Sequence, residues 1–161
     1  MSTSFPIQRL DVNVAGHAQP LEFRYFAHSQ RHVTAILRGE TYPLIQQLGP
    51  VRTVIDIGAN VGSAAVCFAV RHPEAVIHAF EPGTDARGLL SHNAESFPAI
   101  RIHPVGLHDR DGAVRLFHSR WDPMSASIGR NYENGEDSEV IELRRGSTYL
   151  RGIGVETIDV L

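Results

Sequence analysis

Apolar positions in this chain recur with three different periods, and the period changes mark its organisation. Leu10-Asp11-Val12-Asn13-Val14 and Leu21-Glu22-Phe23-Arg24-Tyr25 alternate every second residue around Gly16 to Pro20, the signature of a β-hairpin. Val33, Ile36 and Leu37 then repeat at helical spacing up to Gly39, and Pro43 opens a second short helix carrying Leu44, Ile45 and Leu48 before Gly49-Pro50. From Thr53 to Ile57 the run is apolar and β-branched almost without interruption, as expected of a strand in a parallel sheet covered on both faces. Ser63 to Arg71 follows as a helix whose Ala64, Ala65 and Ala69 permit close packing, and Ala75 to Glu81 reads as a second strand. Thr84 is the expected N-cap of a helix that reaches Ser96, with Leu89, Leu90 and Phe97 forming its apolar stripe, and Ile100 to Leu107 is the third strand.

This β-α-β-α-β succession implies right-handed crossovers and an α/β, Rossmann-like three-layer sandwich with parallel strands in the order 3-2-1. Beyond Leu107 the pattern turns β-rich. Asp111-Gly112 signals a hairpin between Ile102 to Leu107 and Ala113 to His118. Asn131 to Ser138 reads as a solvated loop, and Val140 to Arg144 and Gly154 to Ile158 read as strands. One domain over 1–161 is expected, divided into an N-terminal hairpin with helices (1–50), the alternating core (51–107) and a β-rich extension (108–161) that adds a C-terminal hairpin.

A net charge of −3, from 15 basic residues that are all Arg and 18 acidic ones, is interspersed along the chain and leaves no basic stripe for nucleic acid and no polybasic membrane patch. The longest apolar stretch, Val61 to Val70, is too short to span a bilayer, and Met1-Ser2-Thr3-Ser4 has no secretory character, so a cytoplasmic protein is expected. The lone Cys67 falls in an apolar helix and is expected to be buried there. The nine histidines are scattered without metal-ligand spacing, and no metal is expected.

The chemistry concentrates between Val54 and Pro82. A strand ends in Asp56-Ile57-Gly58-Ala59-Asn60-Val61-Gly62, a turn whose glycines let backbone amides approach a ligand. A dinucleotide fingerprint G-x-G-x-x-G would place glycines where this chain has Gly58, Asn60 and Ser63, so two of the three are missing. The shorter register Asp56-x-Gly58-x-Asn60-x-Gly62 is intact and suits a ligand without a pyrophosphate, with an amino-acid group at one end and a nucleoside at the other. S-adenosylmethionine has that shape. Glu81, at the end of the second strand, can accept hydrogen bonds from both ribose hydroxyls and repels a 2′-phosphate.

Val54 to Gly62, Phe80-Glu81-Pro82, Asn93 and Gly106-Leu107-His108-Asp109-Arg110-Asp111-Gly112 together closely resemble the FkbM family of S-adenosylmethionine-dependent methyltransferases, from about Glu40 to the last residue. The resemblance implies S-adenosyl-L-methionine as cofactor and a small-molecule acceptor, with O-methylation of a sugar, a polyketide or a similar hydroxylated metabolite. By the same resemblance Asp56 orients the loop and the methionine amino group, Gly58, Ala59, Asn60 and Gly62 form the turn beneath it, Glu81 takes the ribose, and Asp109 with His108 takes adenine. No catalytic base is identified. His108, His118, Asp122 and Ser125-Ala126-Ser127 follow the third strand and are the candidates for lining the mouth.

In that family a segment like Val155-Glu156-Thr157-Ile158-Asp159-Val160-Leu161 precedes the second half of the sheet. The expectation is therefore a truncated domain whose first strand lacks a neighbour on one side, completed by a homo-oligomer or by a portion beyond Leu161. Two alternatives stay open, an inactive cofactor-binding half-domain or interaction module, and an NAD-dependent oxidoreductase.

Overall fold

The computed structural model describes residues 6–42, 49–119, 126–129 and 138–161. The helix expected from Pro43 to Leu48, Asp122, Ser125 and the loop from Asn131 up to Ser138 lie outside them.

An antiparallel hairpin of β1 (Ile7–Val12) and β2 (Leu21–Phe26) leads through a 3-10 turn into α1 (Gln30–Leu37). Gly39 then takes a left-handed φ of 80°, which ends the helix where the sequence places the stop. The central sheet consists of β3 (Thr53–Ile57), β4 (Val76–Phe80) and β5 (Ile100–His103), all parallel and in that spatial order, joined through α2 (Ser63–Arg71) and α3 (Thr84–Asn93). It is a mixed α/β fold with a parallel sheet.

Strand alternation divides the core between the two sheet faces. Val54, Ile77, Ala79 and Ile100 point into the larger cluster, where they meet Val33 and Leu37 of α1, Ala65, Val66 and Ala69 of α2, Leu90 of α3 and Phe23 and Tyr25 of the hairpin. Burial of each such large aliphatic or aromatic side chain stabilises by ~1.5–3 kcal/mol. Ile55 and Phe80 point the other way, onto Val105, Tyr149 and Leu150. Tyr149 and Leu150 belong to α4 (Gly146–Gly152), so a C-terminal helix closes the second face. His78 shares that face; its Nδ1 lies 3.0 Å from His103 Nε2, and His103 Nδ1 lies 3.3 Å from the Tyr149 hydroxyl. Burial, the neighbouring His78 and Arg101 hold His103 down at about 4, and burial and Arg101 also lower His78, so both imidazoles are uncharged at neutral pH. Among the described residues no helix is long and apolar enough to cross a membrane.

Expectations at four places in the chain are corrected. The third strand does not run from Ile100 to Leu107: β5 stops at His103, and after Pro104 and Val105 the backbone enters a second sheet as β6 (Gly106–His108). That sheet, completed by β7 (Gly112–His118), β8 (Ala126–Ser127) and β9 (Ser138–Arg145), has the order β6-β9-β7-β8. Asp111-Gly112 therefore connects strands that do not pair with each other. β9 lies between them, parallel to β6 and antiparallel to β7, and the Asp111 carboxylate accepts the Arg145 amide at 2.7 Å. The C-terminal element is a four-stranded mixed sheet rather than a hairpin. Thirdly, Thr84 is the first helical residue and Gly83 the N-cap.

Fourthly, Gly154 to Ile158 is not a strand, and the outer side of β3 is not bare. Val160 forms a parallel bridge with Val54, and its carbonyl accepts the Ile55 amide at 2.9 Å. Asp159 secures the approach: its Oδ2 accepts the amides of Arg52 and Thr53 at 2.7 and 2.9 Å, while its own amide donates to the Thr53 carbonyl at 3.0 Å.

Candidate functional site

The turn between β3 and α2 needs three left-handed residues, and the sequence supplies the types that tolerate them. Gly58 has φ 76°, Asn60 φ 50° and Gly62 φ 87°; Asn60 is the non-glycine residue with positive φ among those described. Gly62 is also a close approach, since a Cβ there would lie 2.5 Å from Leu90 Cδ1 on α3.

The turn is fastened to the end of β4. Gly58 and Ala59 both donate to the Phe80 carbonyl at 3.0 Å, and Gly62 donates back to Ala59 at 2.8 Å. Glu81 is buried, at 8% exposure, and both of its oxygens are engaged: Oε2 accepts the Asn60 amide and Oε1 the Gly83 amide, each at 2.8 Å. Each oxygen keeps further acceptor capacity. Burial pushes Glu81 above the usual carboxylate range and Glu139 adds to this, while the two amides and Arg87 pull the other way.

Asp56 stands on β3 beneath the same turn. Burial and the charge of Glu81 raise it to about 6, against an opposing hydrogen bond from the Ala65 backbone. Its Oδ2 and the Asn60 Oδ1 are buried acceptors with no hydrogen-bond partner among the described residues. Unmet acceptors of this kind are costly unless something donates to them.

The structure thus brings Asp56, Gly58, Ala59, Asn60, Gly62 and Glu81 to one corner at the carboxyl ends of β3 and β4. His108 ends β6 in the other sheet, and Asp109 lies in the bend that follows it. His108 Nδ1 lies 2.5 Å from Asp109 Oδ1, a close contact without hydrogen-bond alignment, and Asp109 is exposed. Among the described residues no hydrogen bond or ion pair joins either to the corner.

Two residues of the neighbourhood carried no assigned role in the sequence. Glu139 on β9 accepts the Thr84 amide at 3.1 Å and the Thr84 hydroxyl at 2.6 Å, so it caps α3 from 55 residues away, and His118 Nε2 lies 3.1 Å from its Oε1. A carboxylate there complements the positive end of the helix. Nothing local in the sequence marks this pairing. Asn93 is part of the motif set, and the structure turns it inward, where its side chain makes three hydrogen bonds. Among the described residues no group of three or more His, Cys, Asp or Glu could hold a metal.

Comparison with known proteins gives one relative over most of the chain. The 2-O-methyltransferase NoeI of Sinorhizobium fredii is 27% identical over 155 residues, covering 86% of this chain and 63% of its own. The chain resembles an FkbM-like methyltransferase. A shorter match, 35% identical over 65 residues, covers 40% of this chain and 3% of the AMB antimetabolite synthetase AmbE of Pseudomonas aeruginosa. The methyltransferase FkbM of Methylobacillus flagellatus KT superposes with a TM-score of 0.41 at 13% identity, over 66% of this chain and 24% of its own. No family model matches. The chain spans less than two thirds of the length of NoeI and about a quarter of the FkbM structure.

Proposed function

We propose that this chain binds S-adenosylmethionine at the Asp56–Glu81 corner and contributes to methyl transfer onto a hydroxyl oxygen of a small metabolite. The observation that carries the reading is a pair of buried acceptors without a partner among the described residues, Asp56 Oδ2 on β3 and Asn60 Oδ1 on the left-handed turn whose amide is tied to Glu81. The α-ammonium group of the cofactor is a donor suited to the first, and the ribose hydroxyls are donors suited to the spare acceptor capacity of Glu81. Left-handed Gly58, where a Cβ would meet nothing within 4 Å, leaves that part of the turn without a side chain, as a methionine tail lying along it requires. The absence of G-x-G-x-x-G disfavours a dinucleotide at the same place.

S-adenosylmethionine supplies an electrophilic methyl group on a sulfonium. The residues of this chain bind and orient, and holding an acceptor oxygen in line with that methyl group accounts for much of the acceleration such a transfer needs. A hydroxyl acceptor is the choice favoured by the name of the curated relative, a 2-O-methyltransferase. His108 and Asp109, assigned to adenine on the sequence resemblance, remain part of the proposal as the wall supplied by the second sheet.

Isothermal titration with S-adenosylhomocysteine and, separately, with NAD tests the reading. Saturable binding of S-adenosylhomocysteine that Asp56→Asn abolishes and Glu81→Gln weakens is the expected result. Binding of NAD alone would replace the methyltransferase reading with the oxidoreductase one.

A further inference from the structure

The hairpin β1–β2 lies outside the β-α-β-α-β unit, yet one side chain connects it to the candidate cofactor turn. Asn93, the last residue of α3, is buried at 7% exposure. Its Oδ1 accepts the Arg24 amide at 2.8 Å and its Nδ2 donates to the Arg24 carbonyl at 2.8 Å. Donor and acceptor on one side-chain amide thus pair with donor and acceptor of one strand residue, as a neighbouring strand would. The remaining Nδ2 hydrogen goes to the Val61 carbonyl, again at 2.8 Å. Val61 lies between Asn60, whose amide reaches Glu81, and Gly62, over which Leu90 of the same helix packs.

We infer that Asn93 is a positioning residue that transmits the placement of the N-terminal hairpin to the Asn60–Gly62 turn, making the hairpin part of the cofactor site without touching the ligand. The inference rests on reading that turn as a cofactor site. Three arguments support it. All three bonds are short and the one to Val61 is buried, and together they leave the amide a single satisfied orientation. The contact to Val61 is made to the backbone, so it constrains the path of the turn rather than a side chain. And the turn contains Asn60, a non-glycine residue in a left-handed conformation that is held only when its surroundings determine it.

The test separates this inference from the cofactor reading by using a ligand-free measurement beside a ligand-dependent one. Amide hydrogen exchange of Gly62, which donates to Ala59, reports the turn in the free protein, and titration with S-adenosylhomocysteine reports its competence. Asn93→Ala removes all three bonds, and Arg24→Pro removes the hairpin amide that Asn93 accepts, together with the exposed Arg24–Glu22 ion pair, leaving the bond to Val61 available. Both are measured at a temperature where melting curves show the variants fully folded. Asn93→Ala is expected to speed Gly62 exchange and weaken S-adenosylhomocysteine each by about tenfold or more, the scale of a lost buried hydrogen bond. Arg24→Pro is expected to move both in the same direction by about threefold. A lowered melting temperature with Gly62 exchange unchanged in either variant would reduce Asn93 to a packing residue and overturn the inference. If Asn93→Ala does not fold, Arg24→Pro alone decides it. Failure of the wild-type protein to bind S-adenosylhomocysteine would overturn the cofactor reading and with it the ligand half of the inference, while altered Gly62 exchange would still establish the mechanical link.

Discussion

The amide of Asn60 donates to the carboxylate of Glu81 at 2.8 Å, joining a left-handed turn at the end of one strand to an acid at the end of the next. The bond fixes which oxygen of Glu81 faces the turn, and the Gly83 amide fixes the other. Glu81 is therefore pre-oriented by the backbone before any ligand arrives, so little side-chain ordering remains to oppose binding.

Replacing Glu81 by Gln tests that arrangement. An amide group has one acceptor oxygen where the carboxylate has two, so either Asn60 or Gly83 would face an NH2 group. S-adenosylhomocysteine affinity is expected to fall by roughly 10–100-fold, the loss of a charge-assisted hydrogen bond of about 1.5–3 kcal/mol. Calorimetric titration reads this directly, and unaltered affinity would remove Glu81 from the ligand contacts.

Asp56 is expected to oppose folding while serving binding. With its folded pKa raised from 3.8 to about 6, its contribution to stability is fully present below 3.8 and lost as pH rises through 6. At pH 7.5 the free protein holds a buried, ionised carboxylate with an unpartnered oxygen. Asp56→Asn should therefore raise the melting temperature at pH 7.5, by up to ~3 kcal/mol in stability, and bring little change near pH 4. The same substitution should abolish the thermal shift produced by S-adenosylhomocysteine. In the wild type that shift should be larger at pH 7.5 than at pH 5, because only the ionised form pairs with an ammonium group.

Much of the central sheet is legible because its signals are local. Thr53–Ile57 and Ser63–Arg71 coincide with the elements read from their apolar runs, and the positive φ of Asn60 follows from an Asn standing where a glycine is usual. The same locality explains the failures. Ile100, Ile102, Val105 and Leu107 read as one strand in sequence, but Pro104 falls among them, and the second half pairs with β9, where Gly106 faces Leu143. The Asp111-Gly112 signal was correct as a turn and wrong as a hairpin, because nothing in a turn specifies whether a third strand enters between its arms. Within the site, Asp56, the turn and Glu81 lie on two adjacent strand ends, so β-α-β logic predicts their meeting. Glu139 and the inward face of Asn93 depend on pairings 55 and 69 residues apart, which no periodicity encodes.

Gly62 should be the least replaceable residue of the turn. Gly62→Ala imposes a side chain at φ 87° and places its Cβ 2.5 Å from Leu90 Cδ1, for an expected loss of ~2–4 kcal/mol. In a double-mutant cycle with Leu90→Ala the losses should be less than additive, since shortening Leu90 removes the clash and leaves only the backbone strain. Strict additivity in chemical denaturation would show that Leu90 does not confine the turn.

Asp159 controls how Val160 is held on β3. Its carboxylate lies below its ordinary value of 3.8 because the amides of Arg52 and Thr53 donate to it, with the Arg52 charge assisting. A depressed folded pKa means that the stabilising contribution is present above 3.8 and is lost as pH falls through the folded value. The residue that reports it is Ile55, whose amide donates to the Val160 carbonyl and should exchange slowly only while that segment is docked. Asp159→Ala is expected to reduce Ile55 protection at neutral pH, while amides of α2 keep theirs. Acidifying the wild type below pH 3.8 should reproduce the effect selectively at Ile55, before the rest of the sheet loses protection. Equal protection of Ile55 in the variant and the wild type would mean that packing of α4 suffices to hold the segment, and that the Asp159 cap plays no part in closing the outer side of β3.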